Sequence, residues 1–195
     1  VDTELTGLNP GVARMVSIGA VRIRGMRIVP GDAFSSLVAP GRELPKGSTL
    51  IHRITPEAVA SAPHIRSVLP RFVDWLGDSL IVGHHVGLDM RVINAALARL
   101  YGAPLNTPCL DTLRLAQAYE EDLFSNYYDQ YNLNVSFNLT ALAERHGLPR
   151  FPAHDALADA MQAAYLFLFL CGKLKGGRVR TLKDLHQAAK PRRFL

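Results

Sequence analysis

Two carboxylates at the start of the 195-residue chain, Asp2 and Glu4, are spaced for metal-ion chemistry. Residues two apart on a β-strand point to the same face, so the two side chains would lie together. Such anions repel each other unless a cation lies between them. Mg²⁺ prefers carboxylate and water oxygens, and two such ions about 3.5–4 Å apart can stabilise both the attacking and the leaving oxygen of a phosphodiester. A solvated strand face is the alternative explanation for this pair alone.

A third carboxylate, Asp89, falls in the first turn of a predicted helix that follows a short apolar strand. Open α/β sheets bind ligands at the carboxyl ends of their strands. The turn between the strand and the helix contains His84 and His85, which could donate hydrogen bonds to a nucleotide. An acid in this position could also simply complement the helix dipole.

The fourth carboxylate, Asp159, lies one turn inside a helix that is otherwise almost entirely apolar. A buried carboxylate without a partner is costly, and a metal ion would stabilise it. His154 directly precedes this helix and has an ordinary pKa near neutral pH, as a general base requires. Taken alone, His154 would more simply be a hydrogen-bonded structural residue. Asp155 is explained as the N-cap of the helix.

In order along the chain, these segments resemble the motifs of the DnaQ-like exonucleases of the DEDD superfamily. The resemblance is to the subgroup that uses histidine (DEDDh), which includes the proofreading epsilon subunit of bacterial DNA polymerase III. Residues 2–8, 83–89 and 154–160 resemble the three motifs, and residues 51–57 and 110–113 match two further family segments. Two positions of the second motif depart from the family pattern, where His85 stands for Asn and Leu88 for Phe.

The resemblance implies a 3′→5′ exonuclease that releases nucleoside 5′-monophosphates with two Mg²⁺ or Mn²⁺ ions. Asp2 would bridge the ions, Glu4 and Asp159 would complete one site, and Asp89 would assist the other through water. His154 would take the proton from the attacking water. DNA is predicted as the substrate over RNA. The predicted binding partner is the 3′ end of single-stranded DNA or RNA.

The resemblance also implies a set of residues that contact the terminal nucleotide. Leu8 and His52 would hold its base and sugar, and the backbone of Thr3 would lie near its 3′-hydroxyl. The remaining members of the predicted substrate-binding set come from the second motif: His84, His85 and Leu88.

Alternation of strand and helix predicts an α/β protein with an RNase H-like exonuclease fold. Its central mixed five-stranded sheet would begin as an antiparallel meander, continue with parallel strands, and be flanked by helices. Strands are expected at residues 1–5, 15–22, 33–38 and 79–83, and helices at 55–60, 63–76, 88–101, 110–119, 138–146 and 155–170. Residues 120–137 fit no regular element and are predicted to be an insertion loop.

Charge divides the chain into a predicted exonuclease domain, residues 1–172, and a basic C-terminal tail, residues 173–195. The tail contains eight Lys or Arg and one acid, Asp184. Such a tail indicates nucleic acid or an acidic partner, or a solvated terminus. A polymerase, or another domain of a longer chain, is the other predicted partner.

The two cysteines, Cys109 and Cys171, lie in apolar stretches and are predicted to be buried free thiols, as in a reducing cytoplasm. The longest apolar run, residues 163–171, is too short to span a bilayer. The chain is therefore predicted to be cytoplasmic, without a membrane partner.

Two other functions remain open from the sequence. One is a 3′→5′ exoribonuclease of the same superfamily, similar to oligoribonuclease or RNase T, because the contacts that distinguish a 2′-hydroxyl cannot be located. The other is a catalytically silent nucleic-acid-binding module that acts through the basic tail.

Overall fold

The computed structural model describes residues 1–9, 11–125 and 136–191, and it has the predicted mixture of strands and helices. In chain order the elements are β1 (Asp2–Leu5), β2 (Met15–Arg24), β3 (Arg27–Leu37), α1 (Lys46–His52), α2 (Pro56–Ala60), α3 (Ile65–Leu76), β4 (Ile81–Gly83), α4 (Gly87–Tyr101), β5 (Cys109–Asp111), α5 (Thr112–Ser125), α6 (Leu139–Arg145), α7 (Ala156–Leu174) and α8 (Leu182–Ala189).

The five strands form two ladders. β1, β2 and β3 make the predicted antiparallel meander, whereas β4 and β5 pair in parallel. The two ladders meet where the nitrogen of Val1 donates a hydrogen bond to the carbonyl oxygen of Val82, 2.7 Å away. The α/β class is confirmed, and the single five-stranded sheet matches only roughly. β5 was not predicted, because three residues are too few to show a period before the helix that follows.

A close approach between β2 and α7 sets the geometry of the fold near β1. A Cβ atom added at Gly19 would lie 2.2 Å from the backbone nitrogen of Leu157, so only glycine fits here. Gly19 pairs with Asp2 across the ladder, and Ser17 pairs with Glu4. Directly opposed residues share a face of the sheet. The start of α7 therefore lies over the face that carries Asp2 and Glu4.

Side-chain caps begin several helices at the predicted residues. Thr55 caps α2, Asn138 caps α6 and Asp155 caps α7. Each side chain satisfies a backbone N–H that has no partner within the helix. The prediction of an insertion loop is wrong for residues 120–125, which continue α5. Residues 126–135, the middle of that predicted loop, lie outside the described residues.

α7 is the central helix, as its apolar sequence predicted. It packs against all three antiparallel strands, β4, α5 and α6. Of the helices in the described residues, it alone is long and apolar enough to cross a membrane. Nine of its residues are buried in the protein, so the fold itself accounts for its apolar composition.

The basic segment after residue 172 continues the folded body. α8 packs against α5 and β5, with Ala189 fully buried and Leu185 beside it in the same apolar cluster. Thr181 and Asp184 form a capping box at the start of α8. The division of the chain at residue 172 stays a prediction.

Candidate active site

The four predicted carboxylates come together from three elements. β1 carries Asp2 and Glu4, the first turn of α4 carries Asp89, and the first turn of α7 carries Asp159. Burial raises the pKa of Asp2 well above its ordinary value, and repulsion from Asp89, Asp159 and Glu4 raises it further. Each of the other three carboxylates therefore lies close enough to Asp2 to repel it.

Asp89 is held in place by Thr3. One carboxylate oxygen of Asp89 accepts a hydrogen bond from the Thr3 backbone N–H at 3.0 Å and another from the Thr3 hydroxyl. Burial raises the pKa of Asp89 to about 6, although the hydrogen bonds from Thr3 oppose this change. The backbone of Thr3 is predicted to lie near a 3′-hydroxyl. In the structure, its N–H donates to Asp89.

His154 and Asp159 are joined by the turn that precedes α7. His154 has a left-handed backbone, with φ of 65°, and its N–H donates to a carboxylate oxygen of Asp159 at 2.8 Å. Candidate ligand atoms of Glu4, His154 and Asp159 all lie within 4.8 Å of one another. The imidazole of His154 is exposed and near enough to serve as a base for an attacking water or as a ligand.

The donor set fits a divalent cation. Burial raises the pKa of Glu4 to about 7, and repulsion from Asp159 and Asp89 adds to the effect. Burial also raises the pKa of Asp159. Within the described parts of the chain, no Lys or Arg forms an ion pair with any of the four carboxylates. Carboxylate oxygens crowded in this way are the ligands that Mg²⁺ and Mn²⁺ prefer.

Several predicted nucleotide-contacting residues lie around this group. Leu8 is 82% exposed, so its side chain is free to pack against a base. His52 is buried at the end of α1, where its Nδ1 accepts a hydrogen bond from the Ile54 N–H at 3.1 Å. Burial and the nearby charge of His154 lower the pKa of His52. Leu88 is half-buried beside Asp89 in α4. These positions are compatible with nucleotide contacts, which stay predictions.

His84 differs from its prediction, because both ring nitrogens are used inside the protein. Nε2 lies 2.9 Å from the carbonyl oxygen of Phe137, and Nδ1 lies 2.9 Å from the hydroxyl of Thr112. A carbonyl only accepts, so Nε2 carries the proton. The single proton of the Thr112 hydroxyl lies between Nδ1 of His84 and the carbonyl oxygen of Gly83, which is 3.2 Å from that hydroxyl. Burial lowers the pKa of His84 to about 4 and keeps the ring neutral. His84 therefore has no ring nitrogen left for a nucleotide.

Asp111, which was not among the predicted site residues, organises the second motif. It is 2% exposed, and its Oδ1 accepts from the backbone N–H groups of His85 and Leu113. Asp111 thereby joins the turn before α4 to the start of α5. His85 itself is exposed and has a left-handed backbone, with φ of 59°. An Asp just before a helix is the local signal that could have identified Asp111 as a cap.

Comparison with known proteins gives a consistent result. The family model described as exonuclease, RNase_T, matches residues 1–167. The DNA polymerase III epsilon subunit of Aquifex aeolicus is 30% identical over 174 residues, covering 89% of this chain and 80% of that protein. The PolC-type DNA polymerase III of Thermotoga maritima is 33% identical over 188 residues, but this chain spans only 13% of its length.

A solved structure shows the same fold over almost the whole chain. Exonuclease X, in complex with 5′-overhanging duplex DNA, superposes with a TM-score of 0.71 at 25% sequence identity. The match covers 96% of each chain. The predicted exonuclease fold is thus confirmed, and the range matched by the family model, residues 1–167, includes all four carboxylates and His154.

Proposed function

We propose that this chain, which belongs to the exonuclease family, acts as a 3′→5′ exonuclease that releases nucleoside 5′-monophosphates from nucleic acid. The observation that carries the proposal is the convergence of four carboxylates from β1, α4 and α7, without an internal Lys or Arg partner in the described residues and with His154 beside them. A nuclease site needs this combination of cation ligands and a proton acceptor.

The proposed cofactors are two Mg²⁺ or Mn²⁺ ions, which when bound would neutralise the scissile phosphate and favour ionisation of the attacking water. Asp2, which lies close to each of the other three carboxylates, would help to hold both ions. Glu4 and Asp159 would complete one site, and Asp89, oriented by Thr3, would support the other. His154 would accept the proton of the attacking water, since its exposed ring lies beside Glu4 and Asp159.

DNA is the proposed substrate. Support comes from the names of two similar proteins, a DNA polymerase III epsilon subunit and an exonuclease X solved with duplex DNA. Leu8, His52, Leu88 and His85 would contact the terminal nucleotide from around the carboxylates. A site that holds a chain end by packing against its base selects little by sequence.

A polymerase, or a further domain of a longer chain, is the proposed partner, because the PolC-type relative is much longer than this chain. The names of these relatives also support a cytoplasmic location. Residues 1–172 would carry the exonuclease activity, and the basic residues 173–195 would contribute to binding.

The deciding experiment is hydrolysis of 5′-labelled single-stranded, duplex and mismatched DNA beside matched RNA, with Mg²⁺ or Mn²⁺. Asp2→Ala and Asp159→Ala are expected to abolish the products while circular dichroism shows an intact fold. Asp78→Ala, a change at an acid outside the cluster, is the control. Wild-type turnover by Asp2→Ala would refute the assignment. Faster hydrolysis of RNA would favour the exoribonuclease, and binding without hydrolysis would favour the silent module.

The role of His154 is tested separately. Replacing a general base lowers turnover by roughly 10²–10⁴-fold, so His154→Ala is expected to slow hydrolysis to that extent while calorimetry shows unchanged Mn²⁺ binding. A collapse of Mn²⁺ affinity would instead make His154 a metal ligand.

A further inference from the structure

A pocket on the side of the molecule near the start of β2 is lined by three arginines. It lies between β2, the first turn of α3 and the last turns of α4, and its volume is about 290 Å³. Arg14, Arg66 and Arg99 contribute to its wall together with His64, and no Asp or Glu lines it in the part of the chain that the structure describes. We call this cavity the arginine pocket.

The positive charge in the arginine pocket is not neutralised by any acid among the described residues. None of its three arginines forms an ion pair with any residue that the structure describes. The guanidinium of Arg14 donates to the carbonyl oxygens of Val12 and Ala13, which fixes its position. Three cations that line one concavity produce a strong positive potential, which favours an anion.

Two further features favour a phosphate group. Nδ1 of His64 accepts a hydrogen bond from the Arg66 N–H at 3.2 Å, so the proton of the neutral ring lies on Nε2 and can be donated to a ligand. His64 is also the N-cap of α3, a 12-residue helix whose positive dipole end lies at this wall. Arginine forks match the oxygens of a phosphate.

The arginine pocket lies close to the carboxylates. The Thr6 N–H donates to the Arg14 carbonyl, and Thr6 is two residues beyond Glu4, a strand distance of about 7 Å. Arg99 is ten residues after Asp89 on α4, which corresponds to about 15 Å along the helix.

An open depression lies along α4, beside the residues that separate Asp89 from Arg99 in the sequence. It lies between the loop after β1 and α4, with Asn9 and Gly11 on one side and Gly87, Asn94 and Ala95 on the other. Gly87 is two residues before Asp89, and Ala95 is one turn before Arg99. The depression therefore extends along α4 towards the end of the helix that carries Arg99.

We propose that the arginine pocket binds a backbone phosphate of the same strand whose 3′ end occupies the carboxylate site. The inference rests on the proposed exonuclease function. A separation of about 15 Å along α4 places this phosphate more than one nucleotide from the 3′ end. The pocket would hold strands longer than this and leave a dinucleotide without the contact.

The test compares the double variant Arg66→Gln/Arg99→Gln with the equally charged control Arg27→Gln/Arg71→Gln. Arg27 and Arg71 are exposed and lie outside the pocket wall. For each protein, kcat/KM is measured on a 12-nucleotide DNA and on a dinucleotide. The quantity compared is kcat/KM on the 12-nucleotide DNA divided by kcat/KM on the dinucleotide. Loss of charge-assisted phosphate contacts is expected to lower this ratio about tenfold in the pocket variant. The salt dependence of 12-mer binding should also weaken, by about 0.7 in log–log slope for each lost contact.

A kcat/KM ratio equal to that of the control would refute the pocket as a strand site. The pocket variant could instead be less inhibited by nucleoside 5′-monophosphate while its kcat/KM ratio stays unchanged. That result would show that the pocket holds free phosphate and would equally refute the proposal. Anisotropy of a labelled 12-mer in EDTA measures binding without turnover. If the wild type hydrolyses no substrate but binding still depends on Arg66 and Arg99, the exonuclease assignment fails and the phosphate site stands.

Discussion

Glu4 should destabilise the metal-free protein at alkaline pH, and Glu4→Gln should relieve this effect. Burial and neighbouring carboxylates raise the pKa of Glu4 from 4.5 to about 7. A carboxyl group whose pKa is raised by folding favours the folded state while it is protonated, and this contribution is lost as the pH rises through about 7. Metal-free wild type should therefore lose stability between about pH 4.5 and pH 7.5. The raised pKa of Asp89, about 6, acts in the same direction.

The size of the effect follows from the pKa of Glu4. A rise from 4.5 to about 7 corresponds to about 3 kcal/mol when the group is charged in both states. Water at the open side of the site screens part of this repulsion. Ionised Glu4 should therefore destabilise the metal-free protein by about 1–3 kcal/mol at pH 8. At pH 5 Glu4 keeps its proton in the folded state, so the stabilisation expected from Glu4→Gln falls to about 1 kcal/mol or less. For a domain of this size, 2 kcal/mol corresponds to about 4–8 °C in Tm.

The assay is thermal and urea unfolding in EDTA at pH 5 and pH 8, with Glu43→Gln as an exposed control. Glu4→Gln should raise Tm at pH 8 and change it little at pH 5. Added Mg²⁺ should stabilise the wild type more than the variant, because ligand stabilisation grows with affinity. An unchanged Tm for Glu4→Gln at pH 8 would show that the carboxylates do not repel one another and would refute the reasoning.

Three further predictions concern other elements. Gly19→Ala should cost about 3 kcal/mol or more in urea unfolding, because its Cβ would lie 2.2 Å from the α7 backbone. Thr3→Val should raise the pKa of Asp89 further, since it removes a hydroxyl donor that lowers it, and should shift the acidic limb of the activity profile to higher pH. Lys183→Gln/Lys190→Gln should weaken binding of long DNA and reduce its salt dependence, as expected if the exposed basic surface around α8 contacts phosphates.

Each of these changes has its own check. Gly177→Ala serves as the control for Gly19, because its Cβ would come no closer than 3.8 Å to another atom. An unchanged pH profile in Thr3→Val would argue against control of Asp89 by the hydroxyl. If the lysine variant bound DNA with the same salt dependence as the wild type, the α8 surface would be excluded as a contact for DNA phosphates. Deletion of residues 173–195 is a poor substitute for that variant, because it would remove Leu174 and Ala189 from the core.

The chemistry of the site could be read from local patterns. A strand places Asp2 and Glu4 on one face because its side chains alternate, whatever the strand packs against. An isolated acid in an apolar helix needs a partner, which identified Asp159. The caps of α2, α6 and α7 were likewise predicted, because a cap depends on residues within one turn.

The partners of the polar side chains depended on long-range packing. His84 and His52 look similar in sequence, yet the ring of His84 is tied to Thr112 and Phe137 while His52 lies near His154. No local pattern distinguishes these two cases, because the residues that contact each histidine are distant in the chain. β5 was missed because it is too short to show a period, and the contact of Asp111 with the turn before α4 was missed because it joins residues 26 positions apart.

The sequence by itself determined which groups could bind cations and move a proton: four carboxylates and His154, placed by strand period and helix caps. Only the tertiary structure decided how they meet. Gly19 allows α7 to approach the face that carries Asp2, and Thr3 fixes Asp89 across 86 residues of chain. It also gathered the three arginines of the pocket from the residue before β2, from α3 and from α4. The physical reason is that side-chain type and local period are encoded within a few residues, whereas burial and proximity depend on the whole packed chain.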